Sequence, residues 1–306
     1  MVNNFLFHRV NPVRDSFWDP MDVSLFEKCI EFISKKYRVE LIENIAFSPD
    51  SFSENNIATI MFDDGYKDNI EFAAPILKKY NCKASFYVVT ECIENNIPTW
   101  TKRLEHIIQE THKSKIILDF NCLPQKIRQR NLDTNEKKKA YIFQLKSTLK
   151  KLSHEERSDV LNYIYKEYFE TDPPKIMMSW KDLFELKNEG HYIGSHSVSH
   201  NMLGTMTNED EIRGELKNSA GIIQLKLGHF PVTISYPVGS YNKRVIELSK
   251  EVGYQIGLVV KQSTYDPKKD DVFEIPRIEL YNESWFKTRL RITNTLEKIK
   301  RVIHYK

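Results

Sequence analysis

The sequence predicts an α/β fold built on a parallel sheet with crossover helices. Three observations predict it. Short apolar runs recur at strand length, helical periodicity fills the intervals between them, and residues suited to chemistry stand just after the runs. The pattern is clearest where the apolar run 58–62 is followed by a helix-spaced stretch over 66–80. A continuous apolar run over 84–89 comes next.

The elements follow in order. Phe5-Leu6-Phe7-His8-Arg9-Val10 is a short apolar-rich strand. Residues 22–36 carry Val23, Phe26, Ile30 and Ile33 at helical spacing, and 38–41 reads as a strand. From about 95 to 175 the rhythm gives way to charged helical stretches with little strand signal, which predicts a helical insertion. Ser153 and Glu156 form a capping-box pattern for a helix toward Tyr168, and Pro173-Pro174 closes the segment. The rhythm resumes with a helix over 180–189 stopped by Gly190 and a strand over 192–195 that delivers His196. A long helix over 209–227, a strand over 232–236, a helix over 243–252, a strand over 256–260 and an extended piece over 273–280 complete the alternation. A basic amphipathic helix is expected over about 285–304. The expected organisation is a single domain, 1–306, carrying one insertion.

Bulk properties exclude several classes. With 41% hydrophobic and 28% charged residues the chain can build a core. A net charge of +3 gives no case for nucleic acid. Cys29, Cys82, Cys92 and Cys122 show no CxxC spacing and read as free thiols of a reducing compartment. The N-terminus lacks a basic region followed by a long apolar run, so a secretory signal is not expected, and no run is long enough for a transmembrane helix. These features set the expectation of a cytoplasmic protein. The C-terminal helix sets Lys287, Arg289, Arg291, Lys298, Lys300 and Arg301 against Phe286, Leu290, Leu296, Ile299, Val302 and Ile303. It reads first as a helix packing on the barrel, and second as a peripheral contact with an anionic inner-membrane surface.

Asp63 and Asp64 stand side by side at the end of the 58–62 run, directly before Gly65. Adjacent carboxylates at a buried strand end repel each other and resist ionisation, so a bound cation is the expected reason for them. Seen alone, Asp-Asp-Gly is a turn. Far downstream, His196 and His200 offer two imidazoles at i and i+4. One carboxylate with two histidines is a metal-binding set that leaves coordination positions open, and the second aspartate remains for chemistry.

Phe62-Asp63-Asp64-Gly65 resembles the first motif of the polysaccharide deacetylases, the NodB-homology or carbohydrate esterase family 4 group. His196-Ser197-Val198-Ser199-His200 resembles the second, and Tyr236-Pro237-Val238-Gly239-Ser240-Tyr241 the third, in the family's order. The resemblance implies a distorted (β/α)7-type barrel. It implies that Asp64, His196 and His200 bind a divalent metal. Zinc suits that donor set, with cobalt and nickel as alternatives. It implies Asp63 as general base toward the attacking water, and Tyr236, Pro237, Val238 and Gly239 as one wall of the substrate groove. The Val238 N–H would serve the oxyanion.

The sequence departs from that pattern twice. Ser235-Tyr236 stand where many members have an arginine, and Arg277 is the candidate replacement, at the substrate side of the site and oriented on Asp63. The usual C-terminal strand ending in histidine is absent. His8 ends an apolar strand at the other terminus, an arrangement that resembles the poly-N-acetylglucosamine deacetylases, and it is the candidate general acid. The expected function is metal-dependent removal of N-acetyl groups from an amino-sugar glycan or precursor, with a lipid-linked, nucleotide-linked or oligosaccharide substrate. A sugar O-acetyl esterase and a non-catalytic carbohydrate-binding protein with a relic site are the alternatives. The insertion is expected to cover the groove mouth.

Overall fold

A computed structural model describes residues 1–47 and 56–295. Its strands are β1 (Val2–Phe7), β2 (Arg38–Val39), β3 (Ile57–Phe62), β4 (Ser85–Val88), β5 (Lys115–Ile117), β6 (Gln129–Asn131), β7 (Tyr192–Ser195), β8 (Thr233–Ser235), β9 (Ile256–Leu258) and β10 (Ile278–Glu279). Its helices are α1 (Val23–Lys36), α2 (Ile42–Phe47), α3 (Ala74–Lys79), α4 (Thr90–Asn95), α5 (Trp100–Glu110), α6 (Gln125–Arg128), α7 (Asn135–Leu149), α8 (His154–Tyr168), α9 (Trp180–Asn188), α10 (Glu209–Leu227), α11 (Lys243–Val252) and α12 (Trp285–Ile292).

The main sheet runs β10-β1-β3-β4-β7-β8-β9, with β2 beside the start of β3, and every pairing in it is parallel. The outer edge of β9 is bridged in parallel by Ile275, which accepts from Val259 N at 3.0 Å. Three residues later β10 pairs with β1. One extended stretch, 275–279, therefore touches both edges of the sheet and closes it into a distorted barrel, the architecture the sequence predicts. Every residue of β1 and β3 is buried, as expected where helices cover one face and the barrel interior the other.

Side chains alternate between the two faces of each strand. Leu6, Met61, Tyr87, Ile256, Leu258 and Ile275 fill the interior, while Phe5, Phe7, Ile60, Phe62, Phe86 and Val88 pack outward under helices such as α1. At the amino-terminal end of the barrel, Glu43 of α2 accepts hydrogen bonds from Ser85 Oγ, Tyr87 Oη and Thr233 Oγ1 at 2.8–2.9 Å. Burial pushes its carboxyl above the usual range, and those three donors oppose the shift.

Three expectations change on contact with the structure. The 95–175 segment is helical, with α5, α7 and α8 around an apolar cluster of its own, yet it also holds the antiparallel hairpin β5–β6. Those strands are only three residues long and mostly exposed, so they carry no apolar alternation in the sequence. The 66–80 helix is a π-helical turn, Asn69–Ala73, running into α3; Pro75, which has no N–H to continue the ladder, stands at the junction. In α12 the inward residues are Thr288, Arg291 and Ile292, and Phe286 is 73% exposed, so Phe286 and Arg291 exchange their expected sides while Lys287 and Arg289 face solvent as expected. Arg291 is held by Glu283 at 2.9 Å, and Trp285 meets Phe32 of α1 edge to face. The remainder of the expected C-terminal helix, from residue 296, lies outside the described residues. No described helix is long and apolar enough to cross a membrane.

His191, just before β7, is buried; its Nδ1 accepts from Ala84 N at 3.1 Å and its ring stands edge-on to Phe86. Burial, helped by Lys83, pushes its pKa down to about 4. The folded value lies below the unfolded value of about 6.5, so the unfolded chain binds the extra proton between these pH values. Stability from this residue is complete above about pH 6.5 and declines toward pH 4, by about 3 kcal/mol in all. Melting temperatures followed from pH 7 to pH 4 should fall less steeply in His191→Gln than in the parent.

Candidate functional site

The inward positions continue past the ends of the strands. Leu6 is followed on the same face by His8, Met61 by Asp63, Gly194 by His196, Thr233 by Ser235 and Ile275 by Arg277. The register aligns them. Phe7 pairs with Phe62 and Ser195 with Ile234, while Asp63 N donates to Phe7 O at 3.2 Å and His196 N to Val88 O at 2.9 Å. The carboxyl end of the barrel thus gathers residues from opposite ends of the chain.

β3 ends in a tight reversal. Asp64 has φ 75° and Gly65 φ 88°, two successive left-handed residues, and they turn the two carboxylates in different directions. A Cβ on Gly65 would also meet Ile93 at 2.9 Å. Asp64 Oδ1 lies 3.4 Å from His196 Nε2 and 3.3 Å from His200 Nε2. All three residues are buried, and one ligand atom from each lies within 4.8 Å of the others.

These residues fit a divalent cation. Asp64 Oδ1 is fully buried and has no hydrogen-bond partner among the described residues. An orphaned carboxylate oxygen facing two imidazole nitrogens is what a cation satisfies. His196 Nδ1 lies 2.7 Å from Ser235 O; a carbonyl can only accept, so that nitrogen carries the hydrogen and Nε2 offers its lone pair inward. Burial pushes the Asp64 carboxyl up, but His196 and His200 outweigh it and hold it well below the usual range. Burial likewise lowers His196, and Asp63 and Asp64 more than reverse this. For His200 burial prevails.

The spacing of the histidine motif has a local cause. Ser197, at φ 65°, accepts from His200 N at 3.1 Å and so turns the chain back toward Asp64. Glu215 of α10 braces the loop from behind, accepting from Val198 N, Ser199 N and Asn201 Nδ2 at 2.9–3.1 Å and from the Ser199 hydroxyl. Trp100, the first residue of α5, donates its indole N–H to His200 O at 3.2 Å.

Asp63 does not join that set. Arg277 Nη1 donates to its Oδ1 at 2.8 Å and Ser235 Oγ to its Oδ2 at 3.1 Å, and Arg277 Nη2 also donates to Ser235 Oγ at 3.0 Å. Burial pushes the carboxyl up, but Arg277 and then His196 overcome it and keep Asp63 below the usual range. Arg277 has no exposed surface. It stands behind Asp63 and is not among the residues lining the cavity, which is at odds with its expected place among substrate-binding residues. His8 sits across the cavity, its Nδ1 3.5 Å from Glu279 Oε1 and its ring edge-on to Trp18.

A cavity of about 230 Å³ lies over these groups, lined by Asp63, Asp64, His196, His200 and His8. Val238 also reaches it, at φ 58°. Tyr236 and Pro237 do not, nor does Gly239, so the expected groove wall is reduced to Val238. Tyr236 falls on the outward face with Ile234, is fully buried, and stacks on Tyr241 under α10 and α11. Sequence reasoning passed over Ser235, Glu215, Trp18, Glu105, Lys146 and Lys150. Only Ser235 was within reach, by strand alternation from Thr233. The others arrive by tertiary packing.

The family model described as polysaccharide deacetylase matches residues 52–257. YxkH of Bacillus subtilis (strain 168) is 20% identical over 218 residues, 71% of this chain and 50% of its own length, so the chain spans about half of the curated relative it matches. Among solved structures, the Streptococcus pyogenes deacetylase PplD in complex with acetate superposes with a TM-score of 0.63 at 15% identity, covering 95% of this chain and 97% of that one. A de-N-acetylase from Aggregatibacter actinomycetemcomitans gives 0.60 at 16% identity over 95% and 99%. At these identities the likeness shows the fold.

Removing one partner of the buried pair leaves the other charge stranded. Arg277→Met should destabilise the protein by about 3–5 kcal/mol. In an Asp63→Asn background the same change should cost much less. Denaturant titration of the four proteins of this cycle tests it, and equal costs in both backgrounds would mean that the pair is not coupled.

Proposed function

The chain belongs to the polysaccharide deacetylase family, and on that premise we propose that it hydrolyses the N-acetyl amide of an amino-sugar glycan or glycan precursor, yielding acetate and a free amine. The observation that supports this reading most directly is the division of the aspartate pair. Asp64 faces two imidazoles with an unsatisfied oxygen, while Asp63 is held apart by Arg277 and Ser235. Asp64, His196 and His200 would hold a divalent cation, which would supply Lewis acidity toward the acetyl carbonyl and the attacking water. Zinc suits two imidazole nitrogens and one carboxylate oxygen, and cobalt and nickel share the donor preference.

Asp63 accepts the proton of the attacking water. Arg277 and Ser235 fix the carboxylate, and Arg277 and His196 keep it ionised, so the base is charged and aimed before substrate arrives. The Val238 N–H is the proposed donor to the developing oxyanion. His8, on the other side of the cavity, delivers a proton to the departing sugar amine, and Glu279 orients its ring. A histidine at the N-terminal strand takes this place because β1 lies between β3 and the closing stretch.

Metal-loaded protein should release acetate from at least one N-acetylated sugar in a panel that also contains O-acetylated sugars. Release from the O-acetyl set alone would replace amidase with esterase chemistry. Asp63→Asn should lower kcat by about 10²–10⁴ with metal still bound, whereas His200→Ala should lose the metal itself. Metal content measured beside turnover separates the two. His8→Ala should lower kcat about a hundredfold at unchanged metal content; full turnover would exclude it as the acid.

A further inference from the structure

The insertion delivers charge to the cavity. Glu105 comes from α5, Lys146 from the last turn of α7, and Lys150 from the residue that caps that helix. The charges around the cavity can be matched one by one. Asp63 is met by Arg277, and Asp64 belongs with His196 and His200 to the candidate cation site. Glu105 is paired with Lys146 and with Lys102. Glu279 faces His8 and accepts from Tyr281 Oη at 2.6 Å. Lys150 alone borders the cavity with no ion-pair partner among the described residues.

Its position is fixed from behind. Tyr141, Ile142, Leu145 and Leu149 bury one side of α7 in the cluster between α5 and α8, and Lys150 caps the helix, its N–H donating to Lys146 O at 3.0 Å. The residue is exposed, but its ammonium is crowded enough that burial, and then Lys146, hold its pKa below the ordinary lysine range. Glu279, Asp64 and Glu105 oppose that shift from a distance, but none of them forms an ion pair with Lys150. A partly dehydrated cation with no direct ion pair among the described residues, at the end of an anchored helix and bordering the cavity, is suited to an anion brought in by a ligand.

Resting on the deacetylase reading, we propose that Lys150 recognises an anionic group on the substrate, so that the preferred substrate is an acetylated amino sugar carrying a phosphoryl or carboxylate group near the acetamido centre. The insertion then sets specificity by charge, and Lys146 engages Glu105 in an ion pair of its own.

Three probes test this: N-acetylglucosamine 1-phosphate, N-acetylmuramic acid and the neutral methyl N-acetylglucosaminide. At least one anionic probe should be hydrolysed with kcat/KM about tenfold above the neutral one, the scale of a single charge-assisted hydrogen bond. Lys150→Gln should remove that preference through KM, and Lys150→Arg should keep it. Preference for the first probe alone identifies phosphate as the group, and for the second alone carboxylate. Equal kcat/KM across the probes would overturn the proposal. So would a preference that survives Lys150→Gln, or a change confined to inhibition by acetate. If no N-acetyl sugar is hydrolysed, the deacetylase reading fails, and calorimetric Kd values for glucosamine 1-phosphate and methyl glucosaminide decide this proposal separately. Tighter binding of the phosphate that is lost in Lys150→Gln supports it, and equal Kd values reject it.

Discussion

The buried contact between Arg277 and Asp63 joins the fold to the site. Arg277 lies on the stretch that spans the sheet's two edges, and Asp63 ends the strand at the centre of the half formed by β1, β3 and β4. A guanidinium with no exposed surface needs acceptors around it, and here they are Asp63, Ser235 and the Val259 carbonyl. The barrel closes on that network. In the same act the Asp63 carboxylate acquires its ionisation, its direction and its separation from Asp64. Stability and chemistry draw on one set of hydrogen bonds.

Much of this was legible in the sequence because two periodicities coincide. A period of two marks the strands, and carrying that count one step beyond each strand names His8, Asp63, His196 and Arg277 as inward residues. The same count would have sent Tyr236 outward and Ser235 inward, a step that the attraction of a tyrosine to a groove wall obscured. The insertion was legible as helix but not as a supplier of side chains, since nothing in a charged heptad-like stretch reports which lysine faces a cavity. Glu215 is hidden for a related reason. It is one acidic residue among several on α10, half-buried beside Leu216, and only the docking of the 198–201 loop gives it four donors.

Backbone strain is sorted by location. Eight described residues other than glycine have positive φ, and four of them are asparagines away from the site, the residue that tolerates this region best. The other four are Asp64, Ser197, His200 and Val238, all in the site's loops. Residues of these types cost about 1–3 kcal/mol each in that conformation, so the surrounding packing must hold them there. Glu215, the indole of Trp100 and the close seat of Gly65 against Ile93 are visible parts of that packing.

The closing stretch also has a consequence for the order of events as the chain is made. Asp64, His196 and His200 all exist once residue 200 has been synthesised, but the counter-ion of Asp63 is encoded 214 positions after it. Until then the inner end of β3 carries two carboxylates with one set of imidazoles between them. The far edge of β1 has nothing to pair with. Contacts of such separation form late and slowly. A nascent chain would therefore be able to gather its histidines well before the Asp63 carboxylate could gain its guanidinium partner, and completion of the buried network would coincide with the final turn of folding.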